Sequence, residues 1–575
     1  MRFRKMRWYA VAAVPVAGLL AAGLATAPGQ ASVSHPATAK VGKVRLSGKQ
    51  GRAVFKGKIN VANLPKATPS QIRQQPRSLP VDRPLKSASR LAAYRHYVLT
   101  HPANLPKSAA RPAPAKLTTG FLSSNRPIPK LFRSGAGINF SQSGCGCTPP
   151  DQAVATNGKY VAEGVNNLLT FYNTSLGTVY GPFQMSAFFA PVFHSGDFGS
   201  DPQITYDATR GRWLIAWLEV QPAGAGAPDF IDLAVSSTSA INSTYFEYQI
   251  ASNVSGSTDF CDYPTAGYDS NAEWVSCTTF STADGSFQGN RVFGFALKQM
   301  TAGQSMPFVW FYNIPTDLGV GAYRLSPATE DGTPQAEFIT ASDAGFGVTT
   351  ATQTLCALTN TAAVPAGGIP KGTCDFNGMP LAYDDPIAAD QPGSSGSVYP
   401  GVGTKQIAYR DGRLWVAMPI AINCGGNVED GIWWADFIPQ LTAITSGYPQ
   451  SVNGIADPEN AYWCYNNDLD SYLPSIEPDS EGGVVMTLGL SNDTSVFPSL
   501  AYTGRSATDP VNSMGGVGVS AYYVIGSSTN TTGRFGDYSA CSLAPGGGYR
   551  GTEWCAGEFG GADVWNTQVA GFNTN

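Results

Sequence analysis

Four aspartates stand at the heads of similar phrases along the 575-residue chain: Asp151 before Gln-Ala-Val-Ala-Thr, Asp201 before Pro-Gln-Ile-Thr-Tyr, Asp262 before Tyr-Pro-Thr-Ala-Gly-Tyr, and Asp537 before Tyr-Ser-Ala-Cys. Carboxylates are the main acid–base resource of this sequence, because its histidines are few: His35, His96, His101 and His194. A Ser-His-Asp hydrolase would have to use His194, in Phe193-His194-Ser195-Gly-Asp197, and no nucleophile-elbow phrase accompanies it. A His-Glu-x-x-His zinc site is ruled out by the same count. Four carboxylates brought to one place could accept hydrogen bonds from their own turns, which is a purely structural job. They could also bind a hard cation such as Ca²⁺ through oxygen, hold a polar ligand, or act in pairs on a glycosidic bond.

What must position them is a repeat. Asp201 to Asp207 alternates in character, turns through Ala-Thr-Arg-Gly, and returns as Arg212-Trp213-Leu-Ile-Ala-Trp217. That pattern is a half-buried hairpin. Asp262 and Trp274 keep the twelve-residue spacing of Asp201 and Trp213, and Asp537 leads to Trp554 through a glycine-rich turn. Looser copies begin at Asp151, at Gln406 (running to Trp415), at Pro474 (running to Val484-Val-Met486) and at Leu325 (running to Glu337-Phe338). Seven starts at such a spacing suit a β-propeller of four-stranded blades, probable count seven with six as the alternative. The aspartates would then stand where innermost strands begin, around one mouth of the central channel.

The phrases Ser200-Asp-Pro-Gln-Ile-Thr-Tyr-Asp207 with Arg212-Trp213, Asp262-Tyr263-Pro264, and Arg534-Phe-Gly-Asp537-Tyr538-Ser539 resemble those of secreted bacterial β-propeller proteins with a sialidase-like fold, mostly of unassigned activity. The resemblance covers roughly residues 145–575 and implies the scaffold more than the chemistry. An intact Asp box is missing: Ser281-Thr-Ala-Asp284-Gly285-Ser-Phe287 begins as one and lacks its Trp.

Composition agrees with an all-β protein of many tight turns, with 64 Gly, 41 Pro and 11% aromatic residues. Trp213, Trp274, Trp415 and Trp554 fall at equivalent repeat positions and are expected to pack between blades. Trp433-Trp434 and Tyr462-Trp463-Cys464-Tyr465 do not match the repeat, and are candidates for sugar-stacking loops alongside the plainer reading of core packing. All ten cysteines lie between 145 and 555, an even count that argues for disulfides in an exported chain. Expected pairs are Cys261–Cys277, Cys541–Cys555, Cys356–Cys374 and Cys424–Cys464. Cys145 and Cys147 are left over, and direct closure of so small a ring would be strained. Asn466-Asn467-Asp468-Leu469-Asp470 is a second, weaker cation candidate.

Before the repeats the chain changes character. Residues 1–31 read as a secretory signal peptide, with a cationic start, an alanine-rich apolar run and Ala-Thr-Ala27. Residues 32–135 carry 20 Lys and Arg against one acid, Asp82, whereas 136–575 carry 13 bases against 40 acids. The basic stretch is expected to be low in complexity and partly disordered, with a helix near Leu85 to Leu99. It could be a pro-segment or cover lying on the acidic propeller, an attractor for anionic cell-envelope polymers, or a solvated linker. No nucleic-acid function is expected, since aromatic interleaving is missing, and no transmembrane segment is expected in the mature chain. The protein is thus read as secreted and extracellular, binding a polysaccharide or a protein partner. A glycoside hydrolase or lyase built on the mouth carboxylates, and a structural cell-surface protein, are the alternatives.

Overall fold

The computed structural model describes residues 42–67, 88–107 and 129–574, apart from short stretches within the last range, of which 222–228, 254–257, 317–320, 343–350, 394–397, 452–455, 515–520 and 547–550 are the longest. The expected signal peptide lies outside the described residues. The chain divides into two units, 1–37 and 38–575, and only the second is described.

Seven four-stranded antiparallel blades follow one another, beginning at 152, 198, 259, 324, 407, 470 and 540. Their innermost strands touch in cyclic order, the seventh returning to the first. All seven repeat starts therefore mark innermost strands. Every blade is covered on both faces by its neighbours, so its strands are apolar on both sides rather than alternating. The strand of residues 212–220 shows this, with eight of its nine residues buried. Trp213, Trp274, Trp415 and Trp554 lie on second strands, each 0–2% exposed, as inter-blade packing requires.

The basic region contributes to the ring. Strands β1 (Lys43–Leu46), β2 (Gly48–Ala53) and β3 (Phe55–Asn60) add a fifth, outermost strand to blades 4, 3 and 2 in turn. One strap of chain thus crosses three consecutive blade edges. Strand β4 (Lys130–Asn139) supplies the fourth strand of blade 7 by pairing with residues 566–573, so the last blade is built from both ends of the described chain. The boundary expected between 135 and 136 falls inside β4. The physical reason is edge satisfaction: a blade edge exposes unpaired backbone groups, and any strand that can pair there will cover them. Charge adds little, since the ion pairs Lys43–Asp375 (3.8 Å) and Arg95–Asp390 (3.4 Å) have half-exposed bases. Gly51 lets the strap lie flat, because a Cβ there would come within 2.6 Å of the Phe308 ring. The expected helix is α1 (Ala88–Thr100). Its Tyr94 and Val98 pack with Leu105 against Ile387 and Ala421 at blade 5.

The four expected disulfides are formed, and Cys145 is bonded to Cys147. The last pair answers the question that the sequence leaves open for these two cysteines. The turn through Gly146, at φ 67°, brings the two sulfurs together. Among the described residues no helix is long and apolar enough to cross a membrane.

Candidate functional site

The channel mouth is built where the innermost strands of blades 1, 2, 3 and 7 begin, and all four expected aspartates meet there. Each is nearly buried, at 3–7% exposure. Asp151 Oδ2 accepts hydrogen bonds from Ser200 Oγ (2.9 Å) and Asn166 Nδ2 (2.5 Å). Asp201 Oδ2 accepts one from the Tyr538 hydroxyl (2.7 Å), and Asp262 Oδ1 one from the Tyr263 amide (2.9 Å). Arg534 donates to Asp537 Oδ2 (2.5 Å) and to the Tyr263 hydroxyl (3.3 Å). Behind them the guanidinium of Arg324, only 1% exposed, lies 4.5 Å from the centre of the Tyr263 ring.

Local backbone geometry aims these groups. The innermost strands of blades 2, 3 and 6 each carry a bulge, with Asp201, Tyr263 and Leu473 at φ 55°, 53° and 48°, and each of the three is followed by proline. A bulge re-aims a side chain, and a non-glycine residue held at positive φ is strained by about 1–3 kcal/mol. The twelve-residue spacing hides a shift. Measured from the bulge, Tyr263 occupies the place of Asp201, and Asp262 that of Ser200, because the blade 3 bulge sits one pair nearer its hairpin turn. The mouth therefore presents different chemistry from each blade on the same backbone device.

Crowding of acids sets their protonation. Burial pushes Asp151 well above the ordinary carboxylate range, and the charges of Asp201 and Asp537 push it further. Asp201 is raised by burial, against the bond from Tyr538. Asp262 is raised well by burial and then by Asp201. The cluster thus sets carboxyls whose hold on a proton is strengthened by burial beside Asp537, which is paired with Arg534. On the channel side of Tyr538 lies a cavity of about 60 Å³, lined by Gln203, Lys405, Gln406, Arg410 and Glu477 among others.

The other expected site residues are placed differently. Trp433 and Trp434 are both 0% exposed, which corrects their reading as sugar-stacking residues. Consecutive residues on a strand point to opposite faces, so Trp433 packs in the core between blades 4 and 5 and Trp434 in that between 5 and 6. Trp463 and Tyr465 join the second of these cores. His194 lies beside Glu219 of blade 2, which pairs with Gly199 at the start of the innermost strand. Asn466 and Asn467 lie outside the described residues. Asp468 and Asp470 line a hollow of about 400 Å³ with Asp390 and Glu429. The residues missed by sequence reading are Arg324, Tyr263, Tyr538 and Arg534. The last two belong to the Arg534-Phe-Gly-Asp537-Tyr538 phrase, whose charge pairing at i, i+3 was the available signal.

Elsewhere in the blades, burial lifts Glu477 to about 7, Glu273 and Glu429 to about 8, and Glu247 to about 9. Each has a folded pKa above its unfolded value, so the folded chain binds more protons between those two pH values. Their contribution to stability is complete below pH 4.5 and is lost as pH rises through 7 to 9. The melting temperature should therefore fall from pH 5 to pH 9, as read by calorimetry; a flat or rising profile would contradict the burial of neutral acids.

No family model matches the chain, and no curated protein matches it. Solved structures to which it is similar include a protein of unknown function from Dyadobacter fermentans, at 9% identity and TM-score 0.34, covering 66% of this chain and 96% of that one. Penicillium chrysogenum α-L-arabinanase matches at 10% identity and TM-score 0.30, over 65% of this chain and 92% of that one. A Hadza microbial sialidase matches at 8% identity and TM-score 0.32, over 72% and 74%. The propeller assignment rests on the strand pairing of this chain itself.

Proposed function

We propose that this protein is an extracellular carbohydrate-binding propeller whose ligand sits on the outer face of the aspartate mouth. The observation that carries the reading is the convergence of Asp151, Asp201, Asp262 and Asp537 from four different blades, with Arg534 and two tyrosines, at one end of the channel. Carboxyl, guanidinium and phenol groups in one place match the alternating donors and acceptors of a polyol. The five disulfides support an oxidising compartment. Hydrolysis of a glycoside is the second reading, favoured by the gathering of four carboxyls, of which burial raises the pKa of Asp151 and Asp262 while Asp537 is paired with Arg534.

The test is calorimetric titration of the chain from residue 32 with arabinan, galactan and sialylated oligosaccharides, with and without Ca²⁺, against an Asp201→Asn, Asp262→Asn, Asp537→Asn variant. Binding is expected in the parent and a loss of at least about ten-fold in the variant, from several lost charge-assisted hydrogen bonds. Release of reducing ends by the parent alone would establish the second reading. Saccharide binding that survives in the variant would move the ligand elsewhere, and no binding by the parent would sink the proposal in favour of a protein partner. Dependence on Ca²⁺ would place a hard cation in the site.

A further inference from the structure

We propose that His194, Asp197 and Glu219 form a site for a borderline divalent cation of the Zn²⁺ class that shares no residue with the four aspartates of the mouth. His194 and Asp197 lie in the connection from blade 1 to blade 2, and Glu219 is on the second strand of blade 2. One ligating atom from each lies within 4.8 Å of the other two. The Nδ1 of His194 is 2.7 Å from Glu219 Oε1 and 4.0 Å from Asp197 Oδ2. Ligands around a tetrahedral ion with bonds of roughly 2.0–2.1 Å stand roughly 3.3 Å apart, and the two observed separations bracket that value.

One observation beyond the grouping points to a cation, and a second to support for its ligands from behind. Asp197 is 7% exposed, yet its Oδ2, the atom facing His194, has no hydrogen-bond partner among the described residues. Asp232, on the adjacent third strand, is wholly buried. Gln249 donates from Nε2 to Glu219 Oε2 (2.8 Å) and to Asp232 Oδ1 (2.9 Å), which fixes the Glu219 carboxylate from behind. Such outer support is what holds metal ligands in orientation. One imidazole with carboxylates suits zinc, whereas an all-oxygen set would suit calcium. The His194 side chain is 51% exposed, which gives the ion a path in and leaves a remaining position to water. Seated there, the ion ties the inter-blade connection to the blade it enters.

The test uses the chain from residue 32, stripped with EDTA and titrated with ZnCl₂ and separately with CaCl₂ by calorimetry. Roughly one equivalent of Zn²⁺ should bind in preference to Ca²⁺, with affinity at least about ten-fold weaker in His194→Ala and in Asp197→Asn. A His96→Ala, His101→Ala variant should bind as the parent does, which separates this site from the exposed histidines of the basic region. Melting temperatures in EDTA report whether each variant is folded. Absorption bands of Co²⁺ in the parent, lost in His194→Ala, give a second readout. Absence of Zn²⁺ binding in the parent, or equal binding by folded His194→Ala and Asp197→Asn, would overturn the proposal and leave a His194–Glu219 ion pair alone.

Discussion

A fragment of residues 136–575 should fail to fold as a stable, soluble ring. The cut removes Lys130, Leu131, Arg133, Ser134 and Gly135 of β4, which pair with Asn573, Phe572, Gly571, Ala570 and Val569 of blade 7. It also removes Phe132, whose ring stands edge-on to Trp554 at 5.5 Å. With the strap gone, Phe308 loses the cover of β2, and Phe246 and Tyr248 lose Phe55, which lies 6.1 and 5.9 Å from their ring centres. Burial of one such side chain is worth about 1.5–3 kcal/mol, so the loss of several exceeds much of the net stability of a folded domain. The bared edges of blades 2, 3, 4 and 7 are then templates for intermolecular pairing. The expected result is aggregation on expression, or a melting temperature lower by more than about 10 °C. A chain beginning at residue 129 keeps β4 and should give a closed but weaker ring. Soluble yield and scanning calorimetry read both, and a 136–575 fragment melting with the full chain would refute the role given to strap and seam.

Replacing Arg410 with Met should cost about 3–5 kcal/mol near pH 8, the range for removing one partner of a buried ion pair. Arg410 is 8% exposed and donates to Asp331 and, at 2.7 Å, to Glu477, which is 1% exposed and also accepts from Gln406 at 2.9 Å. Without the guanidinium, a carboxylate remains buried beside the channel cavity. Burial already lifts Glu477 to about 7 with Arg410 present, and removal of that charge lifts it further, so the variant should take up a proton. The destabilisation is therefore smaller at pH 5, where Glu477 is neutral in both proteins, than at pH 8. Urea unfolding at the two pH values measures the difference. Adding Glu477→Gln to the variant should recover most of the loss at pH 8. Equal losses at both pH values, with no recovery in the double variant, would mean that Arg410 acts by packing alone.

The ring was legible because its repeat is carried by residues with fixed structural roles. Asp201 with Pro202 and Asp262 with Tyr263-Pro264 recur since blades 2 and 3 share a bulge, and the tryptophans recur since blades 2, 3, 5 and 7 use the same second-strand filler between blades. The meeting of the four aspartates followed from that register. Trp433 and Trp434 were opaque because two adjacent aromatics look like an exposed patch on a one-sided sheet, whereas a blade has two covered faces. The strap was hidden by its charge. Its backbone pattern was present, with Phe55, Gly57 and Ile59 facing the blade and Lys56, Lys58 and Asn60 facing out, but lysine-rich composition outweighed a six-residue alternation. Arg324 comes to the mouth from the start of blade 4 and Arg534 from the connection into blade 7, and spacing along the chain carries no trace of a contact made across a ring.

The two-ended seventh blade has a consequence for a cleaved molecule. In an open-ended array, a cut between two units frees the pieces on either side. Here residues 130–139 are stitched to 566–573, so a cut between any two of blades 1 to 6 leaves both products joined at that seam and along the facing blade surfaces. A nicked molecule should run as two bands once denatured and as one particle of unchanged size before that, so proteolysis of its loops can proceed without dispersal of the parts.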